Sequence, residues 1–132
     1  MVLNFQKDIS LRTYNTFGID VKSKKFIGIQ STDVLKAVLV ENQGAQVLLL
    51  GGGSNLLLTK DFDGLTIRIE NRGIEILKED EYGARIKVAA GENWHDFVLW
   101  CLKKDFGGVE NLALIPGSVG AAPIQNIGAY GV

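Results

Sequence analysis

Residues 48 to 55 read Leu-Leu-Leu-Gly-Gly-Gly-Ser-Asn, the first stretch of this chain with the means to do chemistry. An apolar run delivers three consecutive glycines, then a hydroxyl and an amide. Glycine admits positive φ and lets a ligand approach the backbone closely. Successive N–H groups in such a turn form a concave nest for an anion. Ser54 and Asn55 add donors without adding charge, and a diphosphate suits that chemistry. Two common diphosphate motifs are excluded. No Gly-Lys-Ser/Thr follows, so this is not a Walker A loop. Gly51 and Gly53 fit the dinucleotide fingerprint, but its third glycine position is Leu56, and the following LLLTKDFDG reads as extended rather than helical. A tight strand-to-strand turn that binds nothing is the alternative reading of the three glycines.

A second segment shares the logic. Residues 111 to 132 carry no charge, yet they hold both prolines of the chain and four of its glycines. Such a run makes a poor solvated tail and a poor membrane span, and it is expected to be a loop buried against something. It stops in mid-pattern at Gly131-Val132, so a longer protein is expected. Pro116 and Pro123 fix the backbone, while Gly117, Gly120, Gly128 and Gly131 allow close approach. Gly117-Ser118-Val119-Gly120 is expected to open a short helix with free N–H groups, a terminus friendly to anions. An isolated GxxG also occurs in single-stranded RNA clamps, but no Lys or Arg lies near this one. The formal net charge of −1 likewise argues against a nucleic-acid groove, which needs a basic face.

Other residues with chemical potential have plainer readings. His95, the sole histidine, is expected in the first turn of a helix. Cys101 falls on an apolar stripe and reads as core. Glu79-Asp80-Glu81 reads as a solvated hairpin turn. Asp61 and Asp63 lack the further oxygen ligands that calcium requires. Trp94 and Trp100 read as packing residues. With one cysteine and one histidine there is no disulfide framework, and no metal site is expected.

The elements that must position the two segments follow from periodicity. The chain has 132 residues, 46% of them apolar and 22% charged, the profile of a globular chain able to bury a core of its own. The N-terminus lacks the shape of a signal peptide, and no stretch is apolar enough for a transmembrane helix; the cytoplasm is the expected compartment. Lys25–Gln30 alternates in polarity and reads as a strand. Ser31 reads as the N-cap of a helix over about 32–42, with Val34, Leu35, Val38 and Leu39 as its apolar stripe and Gly44 as its stop. Gln46–Leu50 reads as a short buried strand. Leu65–Glu70, Ile74–Lys78 and Arg85–Ala89 alternate and read as an antiparallel meander. Asn93 caps a helix over about 94–104, with Asp96 completing an approximate capping box and Gly107-Gly108 ending it. The boundary between a β-α-β unit and a β-rich second unit is expected near Thr59–Gly64.

Asn15-Thr16-Phe17-Gly18, Leu50–Leu57 (LGGGSNLL), Gly91–His95 (GENWH) and Glu110–Tyr130 (ENLALIPGSVGAAPIQNIGAY) stand in order. Together they resemble the N-terminal part of the UDP-N-acetylenolpyruvoylglucosamine reductases, the MurB family of peptidoglycan synthesis. The resemblance runs from about Leu11 to Val132, and the IPGSVGAAPIQNIGAYG run is its most specific part. It implies an α+β fold, the two-subdomain FAD-binding fold of the PCMH/vanillyl-alcohol-oxidase type. Residues 1–60 would form the first subdomain and 61–132 an incomplete second, with the flavin between them and the substrate-binding domain absent. It implies an enzyme that reduces UDP-N-acetylglucosamine enolpyruvate to UDP-N-acetylmuramate with NADPH through non-covalent FAD. By motif, Gly51, Gly52, Gly53, Ser54 and Asn55 would hold the FAD pyrophosphate. Ile115, Pro116, Gly117, Ser118, Gly120, Ala121, Ile124, Gly128 and Tyr130 would line the flavin and its approach. Asn15 and Thr16 would buttress the site. Ala121-Ala122 stand where some relatives carry hydroxyl residues, so any hydrogen bonds there would come from backbone. The family's catalytic serine, with its assisting glutamate and arginine, would lie downstream, so no catalytic residue is expected in this chain and the 132 residues alone are expected to be inactive. Two alternatives remain at this level: another flavin oxidase or dehydrogenase of the same fold, and a cofactor-binding piece without catalysis.

Overall fold

The computed structural model describes residues 2–129 and 131. The chain forms two compact units, residues 1–70 and 71–132.

The first unit is a four-stranded sheet with a helix. Its strands are β1 (Gln6–Ser10), β2 (Lys22–Ile29), β3 (Val47–Leu50) and β4 (Phe62–Ile69), in the order β1-β2-β4-β3. β1 pairs antiparallel with β2, whereas β2 and β3 both run parallel to β4. β2 is covered on both faces. Ile27 and Ile29 join Leu65, Ile67 and Val38 in one core cluster, while Phe26 joins Leu11 and Val21 in another. Helix α1 (Thr32–Glu41) supplies Val38, Val34 and Leu35 to the first cluster. Ser31 caps it as expected, its Oγ accepting the Val34 N–H at 3.3 Å. Asn42 closes it by donating from its side chain to the Val38 carbonyl at 2.7 Å, before Gly44 turns the chain at φ +81°. Leu39 belongs to the edge of the stripe rather than its centre, and is exposed.

Three expectations change here. The meander does not form: Leu65–Ile69 belongs to β4, which inserts between β2 and β3, leaving β5 (Ile74–Asp80) and β6 (Gly83–Val88) as a separate antiparallel hairpin. The boundary accordingly falls after Glu70 rather than near Thr59–Gly64. β3 is not a buried strand either. It lies at a sheet edge, where Val47 and Leu49 are exposed and only Leu50 is buried.

In the second unit, α2 (Trp94–Lys103) follows the hairpin. Asn93 caps it, accepting the Asp96 N–H at 3.0 Å. Trp94 and Val98 form a core with Leu112 and Ala122, so the uncharged segment packs on this helix. The helix stops before the glycine pair. Asp105 takes φ +58° and the Phe106 N–H returns to the Cys101 carbonyl at 3.0 Å, satisfying carbonyls a helix end leaves open. Two 3₁₀ turns, Glu110–Leu112 and Val119–Ala121, shape the rest.

Candidate functional site

The glycine loop leaves the first unit's sheet at Leu50, which pairs with Arg68 of β4. Gly53 takes φ +67°, and a Cβ on it would collide with the Tyr14 carbonyl oxygen and come within 3.0 Å of the Asn15 Cα. Only glycine fits. The Gly53 carbonyl accepts the Thr16 N–H at 3.1 Å. The 14–16 backbone is held in turn by Asn15, a buried side chain. Its amide donates to the Leu11 carbonyl at 2.7 Å and the Ile19 carbonyl at 3.0 Å, and its oxygen accepts the Ile19 N–H at 3.0 Å. Asn15 and Thr16 therefore brace the glycine loop, Asn15 through backbone and Thr16 directly.

Among the described residues, the N–H groups of Gly51, Gly52, Gly53, Ser54 and Asn55 donate to no other protein group. No helix follows Asn55, so the donors belong to a turn rather than to a helix end. Unpartnered N–H groups in a glycine turn are the raw material of an anion nest. Arg68, opposite Leu50 in the sheet, has its guanidinium 4.6 Å from the Tyr14 ring centre and paired with Glu70 at 3.4 Å.

The second loop is held differently. The Trp94 N–H donates to the Gly117 carbonyl at 3.0 Å, the Val119 N–H to Glu92 at 2.8 Å, and the Gly120 N–H to Ala90 at 2.9 Å. The Trp94 indole donates to the Leu112 carbonyl at 2.9 Å. Asn93 and Ser118 form an antiparallel bridge. Gly120 lies so close to residue 90 that its Cβ would come within 2.6 Å of the Ala90 Cβ. Residues 90 to 95 thus act as a template on which 112 to 120 is laid.

This corrects the expectation of free N–H groups at the start of a short helix. The turn at Val119–Ala121 forms, but its first N–H groups are already paired with Glu92 and Ala90. The backbone donors expected at 121–122 are also engaged, Ala121 with Ser118 at 3.0 Å and Ala122 with Val119 at 3.1 Å. Gly120 and Ala121 consequently offer no N–H to a ligand. Among the described residues, the N–H groups of Ile115, Gly117 and Ser118 do remain open, as do those of Ile124 and Gly128. Gly117 takes φ +119°. The segment is buried on one side only: Leu112, Ser118 and Ala122 face inward, whereas Leu114 and Ile124 are 78% and 86% exposed. Pro116 and Gly128 are exposed too. Tyr130 lies outside the described residues.

The sequence reading missed the templating role of Ala90 and Glu92, which act through their backbone carbonyls, so side-chain type does not advertise it. The remaining candidates have structural roles. Asp61 accepts the Lys22 N–H at 2.8 Å and Asp63 pairs with Lys24 at 2.7 Å. That pairing raises the Lys24 ammonium above its ordinary pKa. Burial pushes the Cys101 thiol up, as for a core thiol rather than a nucleophile.

The first unit thus carries a braced glycine turn with unpartnered N–H groups, and the second an uncharged loop buried on one side. The class can be stated: the chain belongs to the FAD binding domain family, whose model matches residues 25–132. Within that class it is similar over nearly its whole length to UDP-N-acetylenolpyruvoylglucosamine reductases. The Flavobacterium johnsoniae enzyme is 54% identical over 129 residues, covering 98% of this chain and 38% of the relative. The Pseudomonas putida enzyme is 48% identical over 134 residues, covering 100% of this chain and 40% of the relative. The resemblance read from the motifs is therefore borne out. Among solved structures, the UDP-N-acetylenolpyruvylglucosamine reductase of Thermus caldophilus matches with a TM-score of 0.74 at 23% identity, covering 97% of this chain and 44% of that one. The fold is thus the expected FAD-binding fold. The chain spans about two-fifths of the length of the curated relatives it matches.

Proposed function

We propose that this chain is the FAD-binding portion of an NADPH-dependent reductase that converts UDP-N-acetylglucosamine enolpyruvate to UDP-N-acetylmuramate in peptidoglycan synthesis. The observation that carries the reading is the row of open N–H groups at Gly51–Asn55, braced from behind by Asn15. The diphosphate of FAD is the anion such a row suits. The open N–H groups of Ile115, Gly117 and Ser118 would bind the polar edge of the flavin, and the exposed Ile124 and Pro116 would cover its apolar surface. Gly128 and Tyr130 complete the proposed lining. FAD, when bound, supplies a carrier that accepts a hydride from NADPH and passes it to the enolpyruvyl group.

This chain's own contribution is to bind and orient. Neither loop, 48–55 or 111–132, contains a carboxylate that would repel a diphosphate. Gly120 and Ala121 act as packing and turn residues within the loop. No residue here is assigned to protonating the substrate, a role proposed for another part of the protein. Residues 1–70 and 71–132 are proposed as the two FAD-binding subdomains. The enzyme is proposed to work in the cytoplasm, with no nucleic-acid or membrane partner. Among the described residues no helix is long and apolar enough to cross a membrane.

The test uses the intact protein. It is expected to purify with a flavin absorption band and to oxidise NADPH only when the UDP-enolpyruvyl sugar is present. A protein that takes up no FAD overturns the cofactor assignment. One that binds FAD but reduces other substrates, leaving this sugar untouched, overturns the reaction and retains the cofactor.

A further inference from the structure

We propose that His95 is a positioning residue for the flavin-facing loop, a latch that holds the Leu114 amide; this rests on the cofactor reading above. The Leu114 N–H donates to Nδ1 of His95 at 3.1 Å. Accepting there requires an Nδ1 without a proton, so the latch uses the Nε2–H tautomer of the ring.

Leu114 needs a latch for two reasons. It takes φ +65°, a left-handed conformation that a branched side chain adopts only when its surroundings impose it. Its side chain is also among the most exposed apolar groups of the chain, so packing does not hold it. The residues on either side are tied down, Leu112 by the Trp94 indole and Gly117 by the Trp94 N–H. Between them the Ala113 N–H turns back to the Glu110 carbonyl at 3.3 Å, and over Leu114 to Pro116, among the described residues, the bond to His95 is the one backbone hydrogen bond. This short span carries the Ile115 N–H, one of the open donors.

His95 is well placed to hold it. It is the second residue of α2, directly after Trp94, on a helix start fixed by the Asn93 cap. The tryptophan and the histidine therefore grip the loop from consecutive positions, one at Leu112 and Gly117, the other at Leu114. Without the imidazole, Leu114 is free to relax to negative φ, and the peptide that carries the Ile115 N–H turns with it.

The experiment compares His95→Ala and His95→Asn in the intact protein. An asparagine Oδ1 stands about where Nδ1 stands and accepts in its place. Two quantities are read: hydrogen exchange at the Leu114 amide and FAD affinity. His95→Ala is expected to speed Leu114 exchange and weaken FAD binding, each by roughly three- to tenfold, the loss of one net hydrogen bond. His95→Asn is expected to restore both, with the Val119 and Gly120 amides still protected in both variants. Unchanged Leu114 exchange in His95→Ala overturns the latch. Faster exchange with unchanged FAD affinity overturns the positioning role while leaving the contact. A wild-type protein that binds no FAD overturns the cofactor reading and the role built on it, and Leu114 exchange then still decides whether the latch exists.

Discussion

Gly53 and Asn15 show how the loop proposed to hold the diphosphate is pinned against the backbone of residues 14–16. Gly53 combines positive φ with a Cβ position occupied by the Tyr14 carbonyl, so two independent costs fall on any side chain there. Gly53→Ala is expected to destabilise the protein by at least about 2 kcal/mol, measured as a lowered denaturation midpoint, and to reduce FAD affinity as the loop shifts. A Gly53→Ala protein as stable as wild type would show that the loop is not pinned against residues 14–15. The glycine itself was legible in the sequence, because three in a row after an apolar run advertise positive φ. Its neighbour across the contact was named only through the family resemblance, not by local pattern. Asn15 lies 38 positions earlier, and no periodicity links a turn to the segment it rests on. Gly120 and Ala121 show the converse. Their motif marked them as donors, but a backbone N–H is available only if no carbonyl has reached it, and Ala90 and Ser118 have.

At the scale of elements, the two helix caps were read correctly because capping is local. Ser31 and Asn93 need only the three or four residues that follow them, and both bonds form. Their consequences differ. α1 also rests on a well-filled cluster of aliphatic residues, whereas the start of α2 is the template for the second loop. Asn93→Ala is expected to cost about 1 kcal/mol and to raise amide exchange at Val119 and Gly120 as well as in the first turn of α2. Faster exchange confined to the helix would separate the cap from the loop. Strand pairing was less legible. Leu65–Glu70 alternates like a hairpin strand, yet Leu65, Thr66 and Ile67 are all buried. Alternation reports that a segment is extended; it does not report which strand it pairs with or in which direction. The insertion of β4 between β2 and β3 therefore had to come from the fold.

At the scale of the molecule, the same chain offers two different kinds of loop for one proposed cofactor. One is a free turn braced from behind, and the other is laid on a template and left half open. The 132 residues by themselves are expected to retain FAD weakly, since they match only about two-fifths of their relatives. Equilibrium dialysis of that polypeptide against FAD checks this, and stoichiometric retention would show that these residues hold the cofactor unaided. The sequence by itself determined the class of chemistry: uncharged, glycine-rich, donor-bearing loops, two capped helices and the family resemblance, all of which depend on residue type and short spacing. The tertiary structure alone decided which N–H groups are open, where the chain divides and what grips Leu114. Each of those depends on a carbonyl, a strand or an imidazole brought from a distant part of the chain, and a backbone donor's availability is a property of its partners rather than of its own residue.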